Sequence, residues 1–485
     1  ESEAAAALSD YSRQETAATR AAAKGRDLGA RLLTAQALHL QGQALRSLGR
    51  QEQALARFEE AERIFRAAGD HVGVGSALHD MGNLLRDRGD FAGARARYEQ
   101  ALEIHRQAGN QDGIVLALTN LGGLELQRGD YQAAQPLLLR VVDTARQVHD
   151  PVGEARGRSS LASILQEQGR LAEARQSFLA ALELFRATGS LQGEAGVRAS
   201  LSMVLLDLGS LPAARRQVEQ ALALSRKIGH SRIHGYALRQ LGMLLIEEGH
   251  LVEAQTAFRE MQRVAEQTGH KQLLADAMGG QSQIQRLQGN IQLAREHATR
   301  ALVLWTEAVE LQRVARGHIA LARLALDAGD PATAEKEART ALDRFRAFRL
   351  PEGEALAHEA LATIFLARQD ATSADREIRL AQGLTKTSQD RRIRLAIAIT
   401  AGRIRGAMGQ LGEARRILAQ AHKEGTTLGM PFSALDAELA LAEIDRRQNR
   451  PGASANLQGL RDQATRRGFL LLARRAAPEA PTSPR

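Results

Sequence analysis

Apolar and small residues recur along this chain at helical spacing, and the whole pattern repeats every 40 residues. The stretch Gly89–Leu102, GDFAGARARYEQAL, returns as GDYQAAQPLLLRVV from Gly129 and as GRLAEARQSFLAAL from Gly169. The same phase holds at Ser210, His250, Asn290, Asp330, Asp370 and Gln410, and extends backwards to Arg50 and Asp10. No insertion or deletion breaks the step. A fixed period of this size is the signature of a solenoid.

Within Asp70–Gly109 the apolar spacing near 3.6 predicts two helices, about His71–Arg88 and Phe91–Gln107. Gly89 and Gly109 end them, as suits residues that must take positive φ. Pro151, Pro351 and Pro431 fall at one phase, the first turn of the first helix. Pro212, Pro331 and Pro451 fall in the first turn of the second, while Pro136 sits deeper and predicts a local bend.

Two columns predict the packing. Seven residues before each turn stands a small residue: Gly42, Gly82, Gly122, Ala162, Ser202, Gly242, Ser282, Ala322, Ala362, Gly402 and Ala442. Five after it stands alanine from Ala54 through Ala414, and then Ser454. Small residues facing each other allow close antiparallel approach. Ala61, Ala101, Ala181 and their counterparts can meet the next repeat, and Phe58, Tyr98, Phe178 or Phe258 fills the gap between.

These columns resemble the tetratricopeptide repeat, most clearly in MGNLLRDRGDFAGARARYEQA, Met81–Ala101. The resemblance implies an all-α, right-handed superhelical solenoid of antiparallel helix pairs. About eleven full repeats follow a partial one at residues 1–29. A single array over residues 1–476 is expected, with repeats to about 465, a closing helix near 466–476 and a disordered tail at 477–485. The 40-residue length exceeds the common repeat of this family. It is similar to that of MalT-like and SARP-type bacterial regulators of the STAND ATPase class. Tyr11, Ala18 and Ala21 carry second-helix phase, so an excised fragment with upstream neighbours is expected. Gln369 and Asn449 replace the turn glycine, and Ala298 and Ala338 the aromatic, so looser repeats are expected towards the C-terminus.

Composition narrows the chemistry. Without cysteine there are no thiolate metal sites, disulfides or cysteine nucleophiles. No 18-residue apolar run exists, and the acidic start ESEAAAALSD is unlike a secretory signal, so a cytoplasmic protein is expected. A net charge of +9 permits an acidic partner without demanding one. No Gly-Lys dipeptide is present, which removes the phosphate loop, and no carboxylate pair stands out. His230 and His234 read as loop histidines rather than metal ligands, and Trp305 reads as core. No catalytic site, metal or cofactor is expected.

Recognition remains. First helices of such pairs line the concave side, and by the resemblance the groove positions include His79, Asn83, Arg86, Met203, Tyr236, Arg239, Met243, Arg286, Arg323 and Arg403. Apolar side chains between arginines suit a peptide, helix or partner domain bearing carboxylates, or a small effector. The tetratricopeptide clamp for a peptide C-terminus is not expected, since Asn83 is flanked by His79 rather than lysine. The leading expectation is the regulatory C-terminal arm of a bacterial transcription regulator. A free-standing scaffold or co-chaperone is the alternative. Direct nucleic-acid contact is not expected, for want of interleaved aromatics that stack on bases.

Overall fold

The computed structural model describes residues 2–477, and among them 24 α-helices and no strand. They run α1 (Ser2–Asp27), α2 (Arg31–Ser47), α3 (Gln51–Ala67), α4 (His71–Asp87), α5 (Phe91–Gln107), α6 (Gln111–Arg128), α7 (Tyr131–Gln147) and α8 (Pro151–Glu167). Next come α9 (Leu171–Ala187), α10 (Leu191–Asp207), α11 (Leu211–Lys227), α12 (Ser231–Glu247), α13 (Leu251–Thr268), α14 (Lys271–Leu287), α15 (Ile291–Glu307) and α16 (Leu311–Asp327). The last are α17 (Pro331–Ala347), α18 (Pro351–Ala367), α19 (Ala371–Leu384), α20 (Arg391–Ala407), α21 (Leu411–Leu428), α22 (Pro431–Arg447), α23 (Ala453–Arg466) and α24 (Leu470–Arg475). Even-numbered helices from α2 to α22 are the first of each pair. The expected tail lies outside the described residues apart from Ala477.

Each turn is closed by backbone chemistry that the sequence pattern anticipates. After α4, Gly89 takes φ 80°, its N–H donates to the Arg86 carbonyl, and the Asp90 N–H reaches back to Leu85. This is a Schellman closure, which satisfies carbonyls a helix end would orphan. Asp90 then caps α5 by accepting from the Gly93 N–H at 2.8 Å. Asp70, Asn110, Asp130 and Asp330 do the same for their own helices. Where glycine is missing the left-handed turn persists, at Gln369 and Asn449 and also at His149, Val309 and Arg349.

Both small columns are buried along the array, and in the second each alanine at the 40-residue spacing from Ala54 to Ala414 is at most 1% exposed. The partner of the first column differs from the expected one. A Cβ on Gly42, Gly82 or Gly242 would lie 2.5–2.6 Å from the ring of Phe58, Tyr98 or Phe258. Glycine here makes room for a large side chain of the second helix, rather than for its alanine. The array's ends depart from the frame. Ser454 is exposed and Ala453 takes its buried place, because Pro451 and Gly452 form a turn ahead of α23 instead of opening that helix. In α1, Ala22 is buried and Ala21 exposed; this helix packs mainly against α2, while its Arg26 reaches Glu60 of α3 at 2.7 Å. α7 runs through Pro136 without a break.

The helices form two compact units, residues 1–161 with 183–189, and residues 162–182 with 190–485. In the first, Leu38, Phe58, Phe65, Leu78 and Met81 build one core, and Tyr98, Leu118, Leu124 and Val141 continue it. In both units consecutive first helices touch, as α2 does α4 and α12 does α14, whereas second helices make no comparable contact. First helices therefore line the inner side of the curve in each unit.

The second unit curls until it meets itself. A Cβ on Gly209 would lie 2.8 Å from Leu428, and one on Gly249 would lie 2.9 Å from Pro431. The Ala172 N–H donates to Gln389, a partner 217 residues away, at 2.7 Å. The Arg474 guanidinium donates to the Gly289 carbonyl at 2.9 Å.

The turn at Val309 allows a test. A β-branched residue at φ 56° is strained by about 1–2 kcal/mol. Val309→Gly removes that strain, against an added unfolded-state entropy of roughly 0.5–1 kcal/mol. The variant is expected to gain up to about 1 kcal/mol in chemical denaturation, an increase that the substitution of an ordinary helical valine would not give.

Candidate ligand-binding face

The inner face of each unit is a ladder of polar side chains joining one first helix to the next. Its rungs repeatedly link a residue to another 41 positions on, one repeat plus one residue. In the first unit His39 Nε2 meets Asp80 at 2.8 Å, Arg46 donates to Asp87 at 2.7 Å, and Asn120 meets His79 Nδ1 at 2.8 Å. In the second unit Gln166 donates to Asp207 at 2.9 Å and Arg286 to Asp327 at 2.5 Å. Thr400 donates to Glu359 across the same interval, at 2.8 Å.

Of the sequence-predicted residues, His79, Asn83 and Arg86 share α4. Asn83 is buried and accepts from the Tyr98 hydroxyl at 2.8 Å, while its own amide lies 3.4 Å from Asp80. Burial pushes the Tyr98 phenol up to about 12 and lowers His79. Burial would raise Asp80 as well, but hydrogen bonds from His39 and Gln43, with the charge of His39, outweigh it and hold the carboxyl at about 2. Arg86 stays half-buried beside Asp87 at 3.3 Å. Asn83 thus belongs to a satisfied structural network.

The remaining seven lie in the second unit. Tyr236 is half-buried and donates to Gln272 at 2.8 Å. Arg239 stands 3.6 Å from Asp276, whose other oxygen accepts from Trp305 at 2.9 Å and Arg313 at 2.6 Å. Burial, reinforced by the charge of Arg313, pushes the Arg239 guanidinium down to about 10. Arg323 donates to Glu359 at 3.1 Å. Arg403 forks onto Asp436 at 2.9 and 2.6 Å. Burial opposes ionisation of Asp436, yet Arg403 and Arg475 hold its carboxyl at about 2. Met203 is half-buried beside Leu206, Gln240 and Leu244, around an interstice too small for water, and Met243 is half-buried one repeat on.

In neither unit do these residues form a single pocket; they line the inner face of their own unit, and the arginines have carboxylate partners. The partners Asp80, Asp87, Asp276, Asp327, Glu359 and Asp436 are inner-face residues absent from the sequence-predicted set. A signal existed: acids recur at one phase in Asp87, Glu167, Asp207, Glu247 and Asp327. Two other readings change. Trp305 is only half-buried and serves as a donor to Asp276. His234 is not in a loop but buried on α12, between Ser225 at 3.1 Å and Glu260 at 3.2 Å, while His230 caps that helix. Among the described residues no three His, Asp or Glu side chains gather to hold a metal, and no helix is long and apolar enough to cross a membrane.

Helix pairs, turn chemistry and small columns are matched by comparison of sequence. Residues 73–147 and 153–227 fit one family pattern described as tetratricopeptide repeat, and residues 319–382 and 35–67 fit two more of that description. The chain belongs to the tetratricopeptide-repeat family. None of the curated proteins matches it in sequence. Among solved structures it is similar to the APC/C hetero-tetramer Cut9–Hcn1, at TM-score 0.52 and 13% identity over 96% of both chains. A Rap protein complexed with competence and sporulation factor aligns at TM-score 0.48 and 12% identity, over 67% of this chain and 95% of that one. The apo quorum sensor NprR from B. thuringiensis aligns at 0.46 and 14%, over 70% and 98%. At such identities the likeness to Cut9–Hcn1 concerns the fold.

The ladder makes a pH prediction. Asp80 is held at about 2 against an ordinary 3.8, so its contribution is present above pH about 4 and is lost as pH falls towards 2. Asp80→Asn is expected to cost the first unit about 2 kcal/mol near neutral pH and nothing near pH 2. Hydrogen exchange of α2 and α4 across that range would show it, and equal protection of both proteins at neutral pH would contradict it.

Proposed function

We propose that this chain is a non-catalytic binding array whose inner face takes a protein or peptide segment carrying carboxylates next to apolar side chains. One observation carries the reading: Tyr236, Met203 and Met243 stay half-buried on the inner face of the second unit, near an arginine that its own carboxylate satisfies poorly. Arg286, Arg323 and Arg403 hydrogen-bond their acids, whereas Arg239 reaches Asp276 only at 3.6 Å. A desolvated guanidinium with an incomplete partner gains from a ligand carboxylate, which can accept two parallel N–H bonds. The methionines supply an adaptable apolar floor for a helix or extended segment.

At a finer level, we read the array as the sensor arm of a multidomain transcription regulator, in which a partner, an upstream domain or a small effector biases an off/on equilibrium. Support comes from the 40-residue period, which resembles that of MalT-like and SARP-type regulators. Such a role requires the ligand to bind one state more tightly than the other. Coding sequence upstream of Glu1 should contain a phosphate-loop ATPase. Its absence there would favour the free-standing scaffold.

Peptide display against the purified chain tests the binding reading. Acidic sequences with one or two large apolar residues should be enriched. Arg239→Glu with Met243→Glu should weaken a selected peptide by about tenfold or more, about 1.4 kcal/mol. Undiminished binding by that double variant would rule out this face.

A further inference from the structure

Where the second unit meets itself, it buries more acid than it needs. Asp207 at the end of α10, Glu352 at the start of α18, and Ser388 and Asp390 ahead of α20 are all at least nine-tenths buried. Arg392 inserts among them, donating to Asp207 and standing 3.6 Å from Glu247 at the end of α12. The Ser388 hydroxyl donates to Glu352, whose carboxylate lies against the Gly169 backbone, where a Cβ would approach to 2.2 Å. Asp390 caps α20 by accepting from the Arg392 and Ile393 N–H groups at 2.8 and 3.0 Å. The Gln389 N–H completes the junction on the Gly169 carbonyl at 3.4 Å.

We propose that this junction is an acid-held latch: the second unit stays wound shut while Glu352 and Asp390 carry their protons, and opens its inner face when both are ionised. The charges show why. Asp207, Glu247, Glu352 and Asp390 face each other across the contact from α10, α12, α18 and α20. Arg392 is the cation set among them, and the other facing cation, Arg316 of α16, is engaged by Glu167 of α8 at 3.1 Å. Full ionisation leaves buried carboxylates in excess, a repulsion that winding shut cannot relieve. Burial, with the negative charge of Asp390, pushes the Glu352 carboxyl up to about 7. Burial and the charge of Asp207 push Asp390 up to about 6. Both lie above their ordinary values of 4.5 and 3.8, so the closed form is favoured most in acid and loses that advantage as pH rises through 6 and 7. The latch is independent of which ligand the inner face takes.

A cysteine-free chain makes the test clean. Spin labels on Arg175→Cys and Lys386→Cys, both exposed and flanking the junction, report its separation by pulsed electron resonance. The closed-to-open ratio should fall on the order of a hundredfold between about pH 5.5 and about pH 8.5, with helix content unchanged. Glu352→Gln with Asp390→Asn, which keeps the cap and the hydrogen bond, should remain closed at the higher pH. Glu352→Gln alone should show most of the effect if the double variant folds poorly. A wild-type distance distribution that ignores pH, or a Glu352→Gln variant with the full wild-type response, would overturn the proposal.

Discussion

Everything in this fold rests on one steric fit: a large side chain of the second helix lies where the first helix has almost none. Phe58 over Gly42, Tyr98 over Gly82 and Phe258 over Gly242 leave no room for a Cβ, the nearest ring atoms being 2.5–2.6 Å from where it would sit. Leu138 over Gly122 and Leu418 over Gly402 make the same fit with an aliphatic group, at 2.7 and 2.5 Å. Volume is conserved in the opposite direction too. Where the large residue shrinks to Ala298 or Ala338, the small one grows to Ser282 or Ala322, and Ser282 spends its hydroxyl on the Ala294 carbonyl at 2.7 Å. Close-packed interiors tolerate such compensated swaps better than single changes. A related device joins one repeat to the next, with Phe65 against Gly73 and Phe345 against Gly353.

Curvature follows from those fits, and charge organisation follows from curvature. First helices crowd on the inner side of each unit, so their polar side chains come within reach of the neighbouring repeat. A ladder of pairs then satisfies groups that crowding has desolvated. Exposed ion pairs contribute little. Half-buried forks such as Arg403 on Asp436 define the spacing of adjacent first helices more than they add stability. The arginines expected on the inner face are therefore largely neutralised by neighbouring acids. What stays available is local: one poorly matched guanidinium among methionines and a tyrosine.

Repeat length, helix ends, glycine turns and the burial of the small columns were legible because each is decided within about one repeat by local stereochemistry. The left-handed turn at Gln369 and Asn449 could be inferred from phase alone, since the surrounding packing imposes it even without glycine. Burial at the ends was not legible: Ala22 replaces Ala21 in α1, which packs mainly against α2, and Ala453 replaces Ser454 where Pro451 and Gly452 turn ahead of α23. The ladder was missed for another reason. Its rungs span 41 residues, and an arginine read in isolation carries no sign that an acid waits one repeat and one residue away. Contacts such as Arg392 with Asp207, 185 residues apart, are more remote still. They depend on a small rotation per repeat, summed over several repeats, which no single repeat encodes.

The self-contact of the second unit arises where the repeat pattern is weakest. α19 is 14 residues long where its counterparts have about 17, and the chain between it and α20 leaves helical geometry from Thr385 to Asp390. With that last turn of α19 undone, Ser388 and Gln389 meet the earlier turn at Gly169. In a regular repeat the counterparts of residues 385–387 stay in the second helix, as residues 345–347 do in α17; here the helix ends early, and Ser388 and Gln389 of the following turn reach Glu352 and Gly169. Sequences that specify a fold are locally consistent, and the exceptions concentrate where a structure does something besides fold. The early end of α19 is therefore better understood as the condition for closing the second unit than as decay of the repeat.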